Sequence, residues 1–187
     1  MNKEQKILET ALKLFVEFGF QGTPTSKIAK EAGVANGTLF HYFPTKEALI
    51  GALYVIIKTE LNQLLVSKTD MNSGIKPAFE QVYSHTINWA LNNKEKYHYI
   101  QQVQFSPHLA QIPTEILHEQ TQIHFDFIEH AKASGAIKIM PTDLIFTLVN
   151  SQIMGIYQYI LTQPTEHQQT IITQGFEMIW ELIALKK

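Results

Sequence analysis

Apolar residues recur along almost the whole chain at intervals of three and four, the spacing that gathers them on one side of an α-helix. Ile7, Leu8, Ala11, Leu12, Phe15 and Phe18 make the first stripe, with Lys6, Glu9, Lys13 and Glu17 outside it. The pattern predicts a helix over about 3–18, closed by Gly19 and Phe20 as a glycine cap with an apolar residue folding back. A shorter helix is expected to start at Thr23 and Pro24, Thr as cap and Pro in the first turn, where its missing N–H is no loss. Ile28, Ala29 and Ala32 face inward there, and Gly33 with Val34 ends it. A third helix of about 36–43 stops before Pro44, and Thr45 caps a fourth running to about Ser67. Beyond Gly74 the pattern predicts longer helices over roughly 76–92, 94–105, 113–134, 142–162 and 167–185, broken by Asn, Gly and Pro positions. No two alternating runs are joined by a hairpin turn. The expected fold is all-α: a three-helix head over residues 1–50, then a helical bundle over 51–187, with the change falling inside the fourth helix.

Composition removes several functions. Apolar residues make up 45% of the 187, and there is no cysteine, so disulfides, thiolate metal sites and cysteine nucleophiles are excluded. The opening residues read as helix, not as a signal peptide, and no apolar run approaches the length of a membrane span, so a soluble, cytoplasmic protein without a membrane partner is expected. Net charge is −2, yet residues 1–50 hold six Lys against five Glu, while the remainder carries −3. That asymmetry suits a head that faces nucleic acid. All fifteen basic residues are Lys, so bidentate guanidinium contacts are unavailable and the salt dependence of DNA binding should be shallow.

Between Thr23 and Phe43, two short helices are separated by Gly33, Val34 and Ala35. A helix-turn-helix needs a tight bend, a small residue at the crossing and an exposed second helix. Gly33 supplies the bend, Ala29 the crossing, and Val34, Leu39 and Phe43 the anchors. Thr38, His41 and Tyr42 then share the outer face, and Asn36 and Gly37 present free N–H groups suited to a phosphate. Periodicity alone leaves Phe40 and Tyr42 open between that face and the core.

The stretch from Thr23-Pro24-Thr25 through Ile28-Ala29, Ala32-Gly33-Val34 and Gly37-Thr38-Leu39-Phe40-His41-Tyr42-Phe43 to Lys46-Glu47-Ala48-Leu49 resembles the DNA-binding domain of the TetR/AcrR family of repressors. The resemblance covers about the first fifty residues. It implies that Thr25, Asn36, Gly37, Thr38, Phe40, His41, Tyr42 and Lys46 touch DNA. Tyr42, Lys46 and the Gly37 backbone would hold phosphates, and Asn36, Thr38 and His41 would reach base edges. Asn36 stands where Lys or Arg is common and Phe40 where Tyr is common. Asn36 could instead read adenine.

The resemblance also implies a C-terminal domain that binds a small effector and pairs with its twin. Residues 144–161 and 171–185 are apolar around most of the helix, which calls for burial on two sides. A homodimer through these last two helices is expected, using Ile153, Gly155, Ile156, Gly175, Phe176, Ile179 and Ile183, and it suits a palindromic operator. The effector pocket is expected among Tyr83, Trp89, Phe105, His124, Phe127 and Tyr157, which fit a mainly apolar ligand held by a few hydrogen bonds. No catalytic residue, metal site or cofactor is expected. The rival reading is a di-metal carboxylate enzyme, from Glu95 with His98 and Glu115 with His118 at Glu-x-x-His spacing, with Glu60 and Glu80 as further ligands. A DNA-binding activator without a ligand is a third reading.

Overall fold

The computed structural model describes residues 2–185, and every long element among them is helical. The helices are α1 (Lys3–Phe18), α2 (Thr25–Glu31), α3 (Asn36–Tyr42), α4 (Lys46–Lys68), α5 (Ile75–Asn92), α6 (Lys94–Gln104), α7 (Thr114–Ala133), α8 (Thr142–Ile160) and α9 (Thr165–Ile183). Short 3-10 turns at Met71–Ser73 and Pro107–Gln111 fill two of the breaks. The chain forms two compact units, Met1–Glu60 with Asn93–Leu117, and Leu61–Asn92 with the chain from His118 on. The passage from the first to the second therefore falls within α4.

In the first unit, Ile7, Ala11, Leu14 and Phe15 turn the buried side of α1 inward. Phe15 stacks on Tyr99, and Phe20 meets both rings edge to face, with ring centroids 5.3–6.2 Å apart. The Tyr99 hydroxyl donates to the Ile50 carbonyl at 2.9 Å, which ties α6 to α4. Phe18, expected in the stripe, is exposed instead, because α1 ends there, and the Lys27 ammonium sits 3.4 Å above its ring. Thr23 does not cap α2. Its hydroxyl is buried and bonds the carbonyls of Leu14 and Gly19, so it closes the corner behind α1 and leaves Pro24 to open α2.

In the second unit, Phe79, Tyr83, Ile87, Ile128, Ile145, Ile153, Ile160, Ile172, Phe176, Ile179 and Ile183 form one continuous core between α5, α7, α8 and α9. An antiparallel bridge of Ile137 with Ala184 pins the end of α9 to the α7–α8 connection. Ile153, Phe176, Ile179 and Ile183 were expected to face a second subunit. They fill the protomer's own core, which corrects that assignment. A β-carbon on Gly175 would come within 2.6 Å of Ile156 Cδ1 and the Tyr83 hydroxyl, so its small size serves a crossing inside the protomer. Gly155 differs: it is exposed, and a β-carbon there would meet nothing within 4 Å.

Helix α4 is long and apolar enough to cross a membrane by length and composition, contrary to the expectation that no stretch would be. Its Leu49, Ile50, Leu53, Tyr54, Ile57, Leu61 and Leu65 are nevertheless buried in packed protein.

Candidate nucleic-acid interface

The bend between α2 and α3 rests on Gly33, whose φ of +68° lies in the left-handed region where a side chain is strained. The Val34 N–H reaches back to the Ala29 carbonyl at 2.9 Å and the Gly33 N–H to Lys30 at 3.2 Å, which closes α2. Leu39 and Phe43 are then buried and hold α3 from beneath. Burying them is worth roughly 2 kcal/mol each, ample to fix a two-turn helix that would not persist alone.

With those anchors inside, the opposite side of α3 is turned outward. Asn36, Gly37 and His41 are exposed, Thr38 is half-buried, and Phe40 and Tyr42 keep 44% and 39% of their surface open. The structure thus places Phe40 and Tyr42 on the outer face, where periodicity left them undecided. The His41 and Tyr42 rings meet edge to face at 5.6 Å. A face of one amide, two hydroxyls, one imidazole and two aromatic rings can donate, accept and stack against base edges and sugars. Gly37 adds a separate observation. A β-carbon there would touch nothing in the protein within 4 Å, so no internal contact calls for a glycine in this helix.

Lys46 takes a role that the sequence did not show. Its ammonium donates to the Phe20 carbonyl, joining the start of α4 to the end of the α1 corner. Thr45 caps α4 through the Ala48 N–H at 3.0 Å. Thr25 is half-buried in the first turn of α2.

The expected effector residues are not all brought together. Tyr83, Trp89 and Tyr157 are buried, and burial raises the Tyr83 and Tyr157 phenols. Phe127 stacks on Phe79 at 6.0 Å, and His124 meets the Asn62 side-chain oxygen at 3.2 Å. Phe105, at 74% exposure, points outward instead of lining an enclosed pocket; α6 ends just before it and Ser106 starts a new turn. None of the six lines the apolar groove of about 620 Å³ in the first unit, formed by Ala48, Gly51, Ala52, Val55 and Ile56 of α4 with Ile112, Pro113 and Ile116. Periodicity missed it because these positions read as one side of an apolar helix.

The metal reading finds no geometry. Glu60 is bonded by both oxygens to the Lys96 ammonium, Glu95, His98, Glu115 and His118 are exposed, and no group of three or more ligand-type residues converges among the described residues.

Comparison with known proteins agrees with this arrangement. Residues 7–53 match the model for bacterial regulatory proteins of the tetR family, and residues 54–185 match that for tetracyclin repressor-like C-terminal domains. The uncharacterised HTH-type regulator YhgD of Bacillus subtilis is 28% identical over 91% of each chain. RutR of Escherichia coli is 44% identical, but over only 36% of this chain and 32% of its own. The chain spans about half the length, or less, of several curated relatives that it matches. A solved TetR-family transcription regulator from Shewanella sp. PV-4 is 32% identical over the full length of both chains, with a TM-score of 0.93.

Proposed function

The chain belongs to the TetR family of bacterial regulatory proteins, whose members are DNA-binding transcriptional regulators, and we propose that this one is a cytoplasmic homodimeric repressor released from a palindromic operator by a small, mainly apolar ligand. The observation that carries the reading is the outward face of α3, set on buried Leu39 and Phe43 behind the Gly33 bend. Asn36, Thr38 and His41 read base edges, while Tyr42 and the Gly37 backbone lie along phosphates, with Thr25 and Phe40 at the margins. Lys46 supports this face by fastening α4 to Phe20 and adds positive charge near the backbone.

Pairing uses the outer sides of the last two helices. On α8 these carry Leu144, Ser151, Gly155 and Tyr159, and on α9 Met178 and Leu182, of which Met178 is 69% exposed. Gly155 lets two copies of α8 approach closely across a two-fold axis. Two heads then enter successive major grooves about 34–36 Å apart. Helix α4 runs without a break from the head into the second unit. A ligand that prefers the conformation with shifted α4 lowers operator affinity by its own difference in affinity for the two states.

Selection of bound fragments from a random DNA pool, followed by footprinting, tests the head. A palindromic consensus protected by the wild type and lost on Thr38→Ala with His41→Ala is expected. No protected sequence under any ligand condition would overturn it. The slope of binding against salt reads how many phosphates each head neutralises.

A further inference from the structure

The groove along the first turns of α4 is apolar for most of its length and charged at one end. Ala48, Gly51, Ala52 and Val55 recur every three or four residues, which puts them on one side of the helix as its floor. Ile112 forms the facing wall, and a β-carbon on Gly51 would stand 3.5 Å from its Cγ1, in ordinary contact. From Ala48 to Ile56 the floor runs for about 12 Å. The cavity, about 620 Å³, has the size of a small-molecule site.

Glu47 is the one charged residue that lines the groove among the described residues, and with Thr45 it marks the end at the start of α4. Its carboxylate is exposed and forms no ion pair or hydrogen bond among the described residues. A helix start ordinarily favours an anion through its free N–H groups. Here Thr45 Oγ1 already accepts the Ala48 N–H at 3.0 Å, and Glu47 supplies the negative charge. A ligand that reaches this end therefore meets a carboxylate.

The far wall bears on the contacts that hold the head. Gln111, which lines the groove, meets His108 Nδ1 through Oε1 at 3.1 Å, and the His108 ring lies edge to face on Phe20 at 4.9 Å. The Phe20 carbonyl in turn accepts the Lys46 ammonium. A body held between α4 and Gln111–Ile116 thus presses on the group that joins α4 to the α1 corner.

We infer that this groove is the seat of the effector, and that the effector is an amphiphilic cation, an apolar body ending in a protonated amine. The body lies along Ala52 and Val55 against Ile112 and Ile116, and the ammonium pairs with the Glu47 carboxylate. The inference rests on the ligand-release reading for its biological meaning, though not for the binding event itself.

The test uses the full chain, with decylammonium, decanol and decanoate as probes of one length and three charges, binding being measured by calorimetry without DNA. Because Glu47 is open to water, the pairing is modest: decylammonium should bind about three- to fivefold more tightly than decanol, and decanoate more weakly than either. The preference should shrink as salt is raised. Glu47→Gln should erase it and keep decanol binding. Ala52→Phe fills the groove and should weaken all three probes; Ala48→Phe, at an exposed position where bulk does not enter the core, should do the same. Equal affinities for decylammonium and decanoate in the wild type, a cation preference that survives Glu47→Gln or is indifferent to salt, binding untouched by both groove-filling variants, or no saturable binding of decylammonium would each overturn the site. Operator release is scored separately. Decylammonium that binds through Glu47 yet leaves operator affinity unchanged upholds the site and sinks only the release reading.

Discussion

Helix α3 and helix α9 both carry more apolar side chains than one stripe accounts for, and they dispose of them in opposite ways. On α3, Leu39 and Phe43 go inside, leaving Phe40 and Tyr42 outside with Gly37 beside them in open space. On α9, Ile172, Phe176, Ile179 and Ile183 go inside together with Gly175, leaving Met178 and Leu182 outside. The glycines make the contrast sharpest. Gly175 is small because neighbours of the same chain press on it, whereas a β-carbon on Gly37 or Gly155 would meet no other part of the fold within 4 Å. A glycine inside a helix costs up to about 1 kcal/mol against alanine. The protomer supplies no reason for that cost at Gly37 or Gly155, and the proposed reading assigns it to partners: DNA at Gly37 and a second subunit at Gly155.

The comparison breaks most easily at Phe176. Its removal to Ala should destabilise the protein by about 4 kcal/mol, since the ring packs among Phe79, Tyr83 and Trp180 in a core that cannot close over the void. Phe40→Ala, by contrast, should change stability by less than about 0.5 kcal/mol while weakening operator binding. Urea unfolding at fixed protein concentration measures both. If Phe176→Ala left unfolding unchanged and only split the dimer, the sequence-based interface assignment would be restored.

Next in size is the effect of pH. Lys58 in the folded state titrates near 8, below its ordinary 10.5, because burial penalises the charged form. Below pH 8 the folded chain bears the full penalty. Between about 8 and 10.5 the unfolded chain holds the extra proton, so stability rises with pH, by about 3 kcal/mol in total. Burial raises the Tyr83 and Tyr99 phenols, so above about pH 10 the unfolded chain ionises first and stability falls again. A maximum near pH 9–10 is expected in unfolding experiments. Lys58→Met should be the more stable protein at pH 7 and should lack the rise above pH 8. A flat profile in the wild type would mean that the amine is solvated.

Much of this was legible in the residues. Helix limits followed from caps and breakers, and α3 could be turned the right way up because a seven-residue helix with two anchors has few orientations. Helices α8 and α9 were harder. When nearly every direction is apolar, periodicity no longer says which side meets the protomer and which a partner. Gly155 and Gly175 look alike in sequence and part only when Ile156 and Tyr83 are found against one of them. Lys46 and Lys58 were opaque for a related reason: a long flexible side chain finds its acceptor, or its isolation, in tertiary structure. Phe105 failed because aromatic character suggested a lining where the chain simply turns outward.

That difference predicts a moderate effect at Gly175. Gly175→Ala forces a methyl group against Ile156 and the Tyr83 hydroxyl and should cost about 1–3 kcal/mol, as overpacking does, whereas Gly155→Ala should not lower the protomer's stability and should raise it by up to about 1 kcal/mol. Sedimentation should show the reverse order for dimer dissociation, with Gly155→Ala weakening the pair. A Gly155 variant that pairs as tightly as the wild type would place the two-fold contact elsewhere.

The one glycine substitution expected to act on stability and operator binding with opposite signs is the most discriminating. Gly37→Ala removes a flexible residue from the first turn of α3, and the new methyl group enters empty space. The folded protein should therefore gain up to about 1 kcal/mol. If a phosphate lies against that backbone in the complex, the same methyl group stands in its way, and operator affinity should fall by about tenfold, or about 1.4 kcal/mol. Opposite signs from one substitution separate a binding role from a folding role, because a damaged fold would lower both quantities. A more stable variant that binds its operator as well as the wild type would mean that DNA does not approach the start of α3 closely, and the face built on Leu39 and Phe43 would then have to meet the duplex by its aromatic end instead.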